Sequence, residues 1–327
     1  MHNKTILVTG ASGFVGQALI RTLCQQGYEV RGTVRSATAL LSLKKSMTEF
    51  NNLSLYNLGD LSDTTEWSEA LCNTHTVVHC AARAHILDET SSDPLKEFRQ
   101  VNCDASKRLA EQAKTAGVKR IIFISSIGVL GNTSRDIPFN DNSKPNPVLP
   151  YAQSKLEAEQ TLNQFASEME VVIIRPPLVY GPGVKGNFKK LLQFVAKGLP
   201  LPLGKINNKR QFIGIDNLVD FISTCIISEK AANQTFTVAD NETITTTQLI
   251  KTIATLMDKN IILLPVPQGI LNWILKAIGK GNMADQLIHN LEIIPNNARE
   301  ILNWRAPFTL QQQLENAIKK EAPIEYQ

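Results

Sequence analysis

The sequence predicts an α/β fold built on a doubly wound parallel sheet, with a smaller C-terminal α/β domain. Short runs rich in β-branched residues alternate with helical periodicity through the first half of the chain, a glycine-rich turn joins the first run to the first helix, and proline and glycine become frequent after Arg175. Because parallel strands need crossover connections, and these are right-handed, helices are expected on both faces of the sheet.

The predicted strands are short apolar runs separated by helical patterns. They cover residues 5–9, 30–34, 53–57, 76–79, 121–125 and 171–175, and residues 235–238 are expected to rejoin the sheet. The first crossover, residues 15–26, places Val15, Leu19 and Leu23 on one helical face. The segments after Arg175 are predicted to be loops and short strands over the carboxyl edge of the sheet, because their prolines and glycines exclude long helices. Short helices and a polar tail after Lys319 are expected to complete the chain.

Composition places the chain among ordinary globular proteins. Of its 327 residues, 43% are hydrophobic and 20% are charged, which excludes collagenous, disordered and disulfide-scaffold classes. The formal net charge of +4 suits an anionic small molecule. It is too small and too scattered to predict nucleic acid as a partner.

The cysteines and the lack of a long apolar run predict a cytoplasmic protein. The five cysteines show no C-x-x-C spacing and are expected to be free, buried thiols of a reducing compartment. The chain enters a strand within a few residues of Met1, which leaves no room for a signal peptide. Because no window approaches about eighteen uninterrupted apolar residues, no membrane partner is expected. No metal site is predicted.

A glycine triplet follows the first predicted strand, and the helical pattern begins at once in TGASGFVG, residues 9–16. Gly10 permits the tight turn, Gly13 lets a pyrophosphate approach the backbone, and Gly16 lets helix and strand pack closely. The helix N-terminus offers free N–H groups and a partial positive charge. A dinucleotide phosphate site is therefore predicted at the whole turn, which also contains Ser12, Phe14 and Val15.

The spacing of this triplet resembles that of the short-chain dehydrogenase/reductase superfamily, and T-G-x-x-G-F-x-G is similar to its extended branch, the NAD-dependent epimerase/dehydratase family. The resemblance implies a Rossmann fold that binds a nicotinamide dinucleotide. It also implies that Asp60 and Leu61, after the third strand, bind the adenine ring, where a carboxylate can accept from the exocyclic amine. From the residues alone, a helix cap at Asp60 or Ser62 explains this segment equally well.

The end of the second predicted strand favours NADP over NAD. An NAD site usually carries an acid here to bind the ribose hydroxyls, but this chain has Val34, followed by Arg35 and Ser36. A guanidinium can bind the 2′-phosphate of NADP, and a serine hydroxyl can add a donor. The sequence VRGTVR also resembles that of NADPH-using ketone reductases of the extended branch.

A tyrosine and a lysine four residues apart, Tyr151 and Lys155, share one face of a predicted helix. An unperturbed tyrosine titrates near pH ~10, and a neighbouring ammonium is expected to lower its pKa toward neutrality. By resemblance, Ser126 orients the substrate oxygen, Tyr151 transfers the proton, Lys155 tunes it and holds the nicotinamide ribose, and Asn102 supports the relay.

Two more segments belong to the cofactor site by resemblance. Ala81 and Ala82 lie in the turn that follows the fourth strand, and Pro177 follows the sixth. His79 lies at the start of the turn after the fourth strand. Its side chain is expected to be a packing residue and not a catalytic one.

The segment RPPLVYGPG, residues 175–183, resembles the one that follows the sixth strand in nucleotide-sugar epimerases and dehydratases. The resemblance implies that Asn187 and Arg210 hold a nucleotide diphosphate, that residues 201–203, including Leu203, line the base pocket, and that Arg83 contacts the substrate together with Ser126. A planar guanidinium serves a diphosphate better than a lysine point charge.

The residues next to Ser126 and at the end of the second strand favour some reactions of this family over others. A 4,6-dehydratase needs an acid and a base beside the catalytic hydroxyl, but Ser126 is followed by Ile127 and Gly128. A 4-epimerase keeps NAD tightly bound, whereas a 4-keto reductase consumes NADPH, which Arg35 favours. The chain is also similar to bacterial O-antigen (lipopolysaccharide) enzymes that reduce UDP-4-keto-6-deoxy-N-acetylhexosamines. The alternatives are a UDP-hexose 4-epimerase, an NADPH-dependent reductase of a non-sugar ketone, and a non-catalytic cofactor sensor.

Residues 1–175, with a returning segment near 212–240, are predicted to form the dinucleotide-binding domain, and residues 176–211 and 241–327 the substrate-binding domain. Two amphipathic helices, near residues 95–116 and 152–166, pair across a twofold axis in this family. The resemblance therefore implies a homodimer.

Overall fold

The computed structural model of the chain describes residues 4–84 and 93–319. Its strands are β1 (Thr5–Thr9), β2 (Glu29–Val34), β3 (Leu53–Asn57), β4 (Thr74–His79), β5 (Arg120–Ile124), β6 (Phe139–Asn140), β7 (Glu170–Arg175), β8 (Val179–Tyr180), β9 (Ile213–Gly214), β10 (Thr235–Thr237) and β11 (Ile293–Ile294).

The helices are α1 (Phe14–Gln25), α2 (Ala37–Ser46), α3 (Ser68–Leu71), α4 (Pro94–Arg99), α5 (Ala105–Thr115), α6 (Pro150–Asn163), α7 (Gly186–Ala196), α8 (Ile215–Ile227), α9 (Thr246–Leu256), α10 (Gln268–Ala277), α11 (Gly281–Ile288), α12 (Asn296–Glu300) and α13 (Leu310–Lys319). A π-helical turn, Gln100–Asp104, joins α4 to α5.

Seven parallel strands form the central sheet in the order β10-β7-β5-β4-β1-β2-β3. All seven predicted strands lie in it, including the returning strand β10. The pairs β6–β11 and β8–β9 form two small separate sheets. The predicted doubly wound α/β fold is therefore confirmed.

Side chains alternate across the sheet, so the central strands β1, β4, β5 and β7 each contribute to apolar clusters on both faces. In β1, Ile6 and Val8 belong to the cluster on one face, whereas Leu7 belongs to the cluster on the other. Helices α1 and α8 cover the first face, and α5 and α6 cover the second. Both faces are thereby removed from water, as a parallel sheet requires.

The strand order reverses between β1 and β4, and this position determines where a ligand can bind. The next strands after β1 in the chain lie on one side of it, and β4, β5 and β7 lie on the other. In open parallel sheets the crevice at such a switch point, outside the carboxyl ends of the strands, is the binding site. The turns after β1 and β4 both open into it.

A third apolar cluster lies beyond the sheet, within residues 178–318, where α7, α9, α10, α11 and α13 pack together. The proline- and glycine-rich segments 176–185 and 200–204 are loops and short strands, as expected, but the eleven-residue helix α7 between them was not predicted. Its buried Phe188, Leu192 and Val195 recur at helical spacing between the breakers that flank them. The predicted division into two domains stays a prediction.

All five cysteines are free, but not all are buried. Cys24 and Cys225 are buried, Cys80 and Cys103 are half-buried, and Cys72 is exposed. The expectation of buried thiols was therefore wrong for Cys72, which follows the short helix α3. Within residues 4–84 and 93–319, no helix is long and apolar enough to cross a membrane.

Candidate active site

The turn between β1 and α1 has room for glycine alone at two of its three glycine positions. Gly10 has a φ of +65°, and an added Cβ would lie 2.8 Å from the backbone nitrogen of Ala81. At Gly16 an added Cβ would overlap the carbonyl oxygen of Gly10. The Gly13 N–H closes the turn by donating to that same oxygen at 2.8 Å. The chain therefore turns sharply and α1 begins immediately behind β1.

The N-terminus of α1 has the chemistry that a dinucleotide phosphate needs. No side chain caps the helix at Gly13, and its first turn, which includes Phe14 and Val15, carries no acidic residue. Unsatisfied N–H groups and the positive end of the helix dipole therefore point into the switch-point crevice. The Ser12 carbonyl, at the same turn, accepts from Gln17 Nε2 at 2.9 Å. These residues fit the pyrophosphate of NAD or NADP.

The adenosine end of the site is open at β2 and β3. Arg35 is exposed directly after β2, and the Ser36 hydroxyl accepts from the Ala39 N–H at 3.2 Å, capping α2. Asp60 is exposed after β3, and Leu61 is half-buried. The helix-cap explanation of this segment was wrong, because the next helix begins only at Ser68.

The turn after β4 is held in place by a buried hydrogen-bond chain. His79 Nδ1 lies 2.6 Å from Thr9 Oγ1, and its Nε2 lies 2.8 Å from Ser106 Oγ. The Ala81 N–H donates to Thr9 Oγ1 at 3.1 Å, which fixes the Ala81-Ala82 turn beside the glycine turn. Burial lowers the pKa of His79 to about 3. His79 is therefore neutral and packs, as the sequence analysis expected.

Tyr151 and Lys155 both lie on α6, one helical turn apart, at the crevice side of the sheet. Tyr151 is half-buried in the first turn, where its ring meets the ring of Phe98 edge-on at 5.9 Å between centroids. Lys155 is 1% exposed, and its Nζ lies 3.9 Å from the centroid of the Phe123 ring on β5. The ammonium is thus held against an aromatic face instead of a carboxylate.

The ionisation of this pair differs from the expectation. Burial raises the pKa of Tyr151 to about 12, and burial lowers the pKa of Lys155 to about 7, opposed by the charge of Glu159. The expectation that Lys155 lowers the pKa of Tyr151 was therefore wrong for the protein without its ligands. Burial disfavours both charged forms, and the lysine is largely neutral above pH 7. The phenol is protonated, which is the state of a proton donor.

Ser126 begins the turn after β5 and lies next to the start of α6. Its Oγ accepts from the Gly128 N–H at 3.1 Å. An added Cβ at Gly128 would lie 3.3 Å from Ser126 Oγ and 3.4 Å from the Cβ of Ala152, the neighbour of Tyr151. Gly128 thus fills the space between the serine hydroxyl and the first turn of α6, so the structure brings these two predicted site segments together.

Asn102 lies in the π-helical turn, a local irregularity that often marks functional sites. Its Nδ2 donates to Ser154 Oγ at 3.0 Å and to the Arg83 carbonyl at 3.1 Å, and its Oδ1 accepts from the Arg83 N–H at 2.8 Å. Ser154 in turn donates to the Tyr151 carbonyl at 2.8 Å. Asn102 therefore fastens α6 near Tyr151 to the chain after β4, which suits a positioning residue.

A buried network beside Lys155 was missed by the sequence analysis. Glu159 lies one turn after Lys155 on α6. Its carboxylate accepts hydrogen bonds from Arg175 Nε at 2.9 Å, from Arg175 Nη2 at 2.6 Å and from Ser125 Oγ at 2.5 Å. Both side chains of this salt bridge are almost fully buried. The network ties α6 to the carboxyl ends of β5 and β7. The only signal in the sequence was that Glu159 continues the helical face of Lys155.

Arg210 is a buried arginine without a carboxylate partner among residues 4–84 and 93–319. Its Nη1 donates to the carbonyls of Asp285 and His289 at 3.1 and 3.0 Å, whereas its Nε has no hydrogen-bond partner there. Burial lowers its pKa to about 10. Asn187, in the first turn of α7, donates to Gln286 Oε1 at 2.7 Å. The structure therefore joins both predicted diphosphate residues to one helix, α11.

The remaining predicted site residues, Leu203, Arg83 and Pro177, lie in different environments. Leu203 is buried in the third apolar cluster, so its side chain faces the core. The Arg83 guanidinium lies 5.6 Å from the Phe98 ring, beside Tyr151. Pro177 is buried after β7. No group of three metal-ligating side chains occurs in the described part of the chain.

A glycine turn at the switch point of a doubly wound sheet, with a Tyr–Lys pair on the helix beside it, defines the class of nicotinamide-dependent α/β enzymes. The chain belongs to the NAD dependent epimerase/dehydratase family, whose sequence profile matches residues 6–239. It is therefore an enzyme of the extended short-chain dehydrogenase/reductase type, as the glycine spacing predicted.

Individual relatives agree with this family. The chain is 43% identical over 314 residues to a UDP-glucose 4-epimerase of Vibrio cholerae, covering 94% of this chain and 93% of the relative. It is 32% identical over 235 residues to a dihydroflavonol 4-reductase of Zea mays, covering 66% of this chain and 64% of the relative. The structure of a UDP-glucuronic acid 4-epimerase from Bacillus cereus in complex with NAD matches with a TM-score of 0.78 at 20% identity, over 97% of this chain and 98% of that one. This last likeness shows a shared fold.

Proposed function

We propose that the enzyme is an NADPH-dependent reductase that acts at C4 of a nucleotide-diphosphate sugar, a UDP-4-keto-6-deoxy-N-acetylhexosamine of surface-polysaccharide synthesis. The observation that carries the choice of a reductase is the end of β2, where exposed Arg35 follows Val34 and no carboxylate is present. A binding site for the 2′-phosphate favours a cofactor that is consumed in each turnover over one that is retained.

The protonation of the site supports the same direction. When bound, NADPH supplies a hydride to the carbonyl carbon, and the carbonyl oxygen must gain a proton to become the 4-hydroxyl. Tyr151, whose pKa is raised by burial to about 12, carries that proton at neutral pH. Ser126 is assigned to hold the carbonyl oxygen. The tyrosinate left by proton transfer favours the protonated form of Lys155, whose ammonium then stabilises it until solvent reprotonates the phenol.

The substrate end supports a diphosphate. Arg210 is deeply buried. Among the described residues its guanidinium has no carboxylate partner and its Nε has no hydrogen-bond acceptor, so this buried donor is unsatisfied there. A diphosphate oxygen supplies an acceptor with full charge complementarity. A reductase of a neutral ketone leaves this donor unexplained. Asn187, in the first turn of α7, is assigned to the same diphosphate.

The second candidate is a UDP-hexose 4-epimerase with tightly bound NAD, which the 43% identity to the Vibrio cholerae enzyme favours. The decisive assay has two arms. With UDP-4-keto-6-deoxy-N-acetylglucosamine, a reductase oxidises NADPH stoichiometrically to product. With UDP-glucose and no added reductant, an epimerase forms UDP-galactose. Activity in the second arm alone would exclude the reductase, and activity in neither arm would exclude both assignments.

Cofactor choice gives a separate prediction. Arg35→Ala is expected to raise the KM for NADPH by about 10- to 100-fold, because one charge-assisted bond to the 2′-phosphate contributes about 1.5–3 kcal/mol. The KM for NADH should change by less than about threefold. Arg305, an exposed arginine after Trp304, gives the matched control Arg305→Ala. An equal effect of Arg35→Ala on both cofactors would contradict the role in NADP selection.

The predicted homodimer, cytoplasmic location and pathway stay predictions. The two helices that the resemblance assigned to a dimer correspond to α4 through α5 and to α6. Among the described residues, neither carries an exposed large apolar side chain.

A further inference from the structure

The exposed apolar side chains of this enzyme are concentrated in three segments of its C-terminal half. Within the described part of the chain, fifteen large apolar side chains are exposed, and nine of them lie in residues 190–205, 259–264 and 270–283. These segments are about a ninth of the sequence. The nine side chains are called the apolar face below. Single exposed apolar residues need no explanation, but a concentration of this kind marks an interaction surface.

Helix α10 forms the centre of the apolar face. Leu271 and Leu275 point into the third apolar cluster. Ile270, Trp273 and Ile274, at positions that share a neighbouring stripe of the helix, are 53%, 71% and 41% exposed. The helix is therefore apolar on a buried stripe and on an adjacent solvent-facing one. The fold of the chain accounts only for the first.

The other two segments adjoin α10. Leu201 pairs with Leu263, through bonds from the Leu201 N–H to the Ile262 carbonyl at 3.0 Å and from the Leu264 N–H to the Leu201 carbonyl at 2.9 Å. The second of these segments then runs directly into α10 after Pro267. Leu201, Leu263 and Leu271 belong to the same apolar cluster, so the segments that carry exposed Leu199, Ile262 and Leu264 pack around one core with α10.

The charges on these segments all have one sign. Residues 190–205, 259–264 and 270–283 contain no aspartate or glutamate. They contain the exposed lysines Lys190, Lys197, Lys205, Lys259, Lys276 and Lys280. None of the six forms an ion pair within residues 4–84 and 93–319. An apolar stripe with an interfacial tryptophan, flanked by unpaired lysines, is complementary to an anionic lipid surface.

We propose that the apolar face docks the enzyme on an anionic phospholipid bilayer, with α10 lying in the plane of the headgroups. The helix has ten residues, about 15 Å, and is too short to cross a hydrocarbon core of about 30 Å. Surface docking of this kind is compatible with the absence of a spanning helix. A second copy of the chain fits the face poorly, because pairing it with itself would bring lysines against lysines.

The apolar face lies close to the proposed diphosphate-binding residues. Helix α11, which packs on α10, accepts the bonds from Arg210 and Asn187. Docking would therefore hold the diphosphate end of the site close to the membrane surface. The proposal itself stands on the exposed side chains and lysines and does not depend on the reaction assigned to the enzyme.

Vesicle sedimentation of the whole enzyme tests the proposal. Vesicles of phosphatidylglycerol and phosphatidylethanolamine in equal parts should bind it, and pure phosphatidylcholine should bind it much more weakly. Raising the salt from about 0.1 M to about 1 M, which shortens the Debye length from about 10 to 3 Å, should weaken binding. The triple variant Ile270→Ser, Trp273→Ser, Ile274→Ser should bind at least about a hundredfold more weakly.

A matched control and a spectroscopic signal make the result specific. Ile227, 62% exposed on α8 outside the face, gives the control Ile227→Ser, which should bind like the wild type. Trp67 and Trp304 are buried, so a blue shift of emission on binding reports Trp273, and Trp273→Phe should abolish it. Turnover of a soluble substrate should be unchanged in the triple variant.

Three outcomes would overturn the docking proposal. One is the absence of wild-type binding to anionic vesicles, which would leave a protein partner as the occupant. Another is equal binding by the triple variant and Ile227→Ser. The third is concentration-dependent dimerisation without lipid that the triple variant abolishes, because the face would then be covered by a second copy.

Discussion

Replacing Tyr151 with phenylalanine is expected to lower kcat by about a thousandfold or more while changing the Kd for NADPH by less than about threefold. The variant removes only the phenolic oxygen. Its ring keeps the edge-on contact with Phe98 at 5.9 Å, so the first turn of α6 should stay in place. The loss should therefore appear in the chemical step and leave cofactor binding intact, which a stopped-flow measurement and a binding titration separate.

The matched control for this variant is Tyr56→Phe. Tyr56 is a half-buried tyrosine of β3 that packs against the cluster beneath the sheet. Its loss of a hydroxyl should leave kcat within about twofold of the wild type. A Tyr151→Phe variant that retains more than about a tenth of the activity would show that another group, or water, donates the proton. A parallel loss of NADPH binding would indicate a structural role.

The sheet was predictable because its pattern is local. Each strand is a short run rich in β-branched and other apolar residues and is bounded by breakers, so its assignment needs no knowledge of the rest of the fold. Even β10, which is far from its partner β7 in the chain, was found from residues 235–238 alone. Helix α7 was missed for the opposite reason. The glycines and prolines that precede it predict a loop, although Phe188, Leu192 and Val195 recur at helical spacing.

The site was predictable in its residue types but not in its electrostatics. A spacing of four on a helix places Tyr151 and Lys155 on one face, and that much follows from the sequence. The degree of burial does not, because it depends on how α6 packs on β5. The sequence therefore predicts an ordinary ammonium at Lys155, whereas the structure places it against Phe123 with a pKa of about 7.

The buried network shows the same limit. Glu159 and Arg175 are sixteen residues apart, and they meet only because α6 packs beside the carboxyl end of β7. No sequence spacing predicts such an ion pair. The network still matters for the site, because Glu159 is the carboxylate whose charge acts on Lys155. Positioning groups of this kind become visible only when the tertiary contacts are known.

Lys155→Met is expected to lower turnover strongly and to stabilise the protein at the same time. Loss of the ammonium removes the charge that supports the tyrosinate left after proton transfer, so kcat should fall by at least about a hundredfold. The folded protein without ligands also loses a buried charge with no ion-pair partner among the described residues. A methionine fills the same space and keeps a favourable sulfur–aromatic contact with Phe123. The melting temperature at pH 6 should rise by about 5 °C or more.

The pH dependence identifies the cause. Burial lowers the pKa of Lys155 from 10.5 to about 7 in the folded state, so between these values the unfolded chain binds more protons and wild-type stability rises with pH. The advantage of Lys155→Met should therefore be largest at or below pH 7 and disappear as the pH approaches 10.5. Lys107, 57% exposed on α5, gives the control Lys107→Met, which should show no such pH dependence. A variant that is less stable than the wild type at every pH would instead mean that the ammonium holds α6 against β5 through its contact with Phe123.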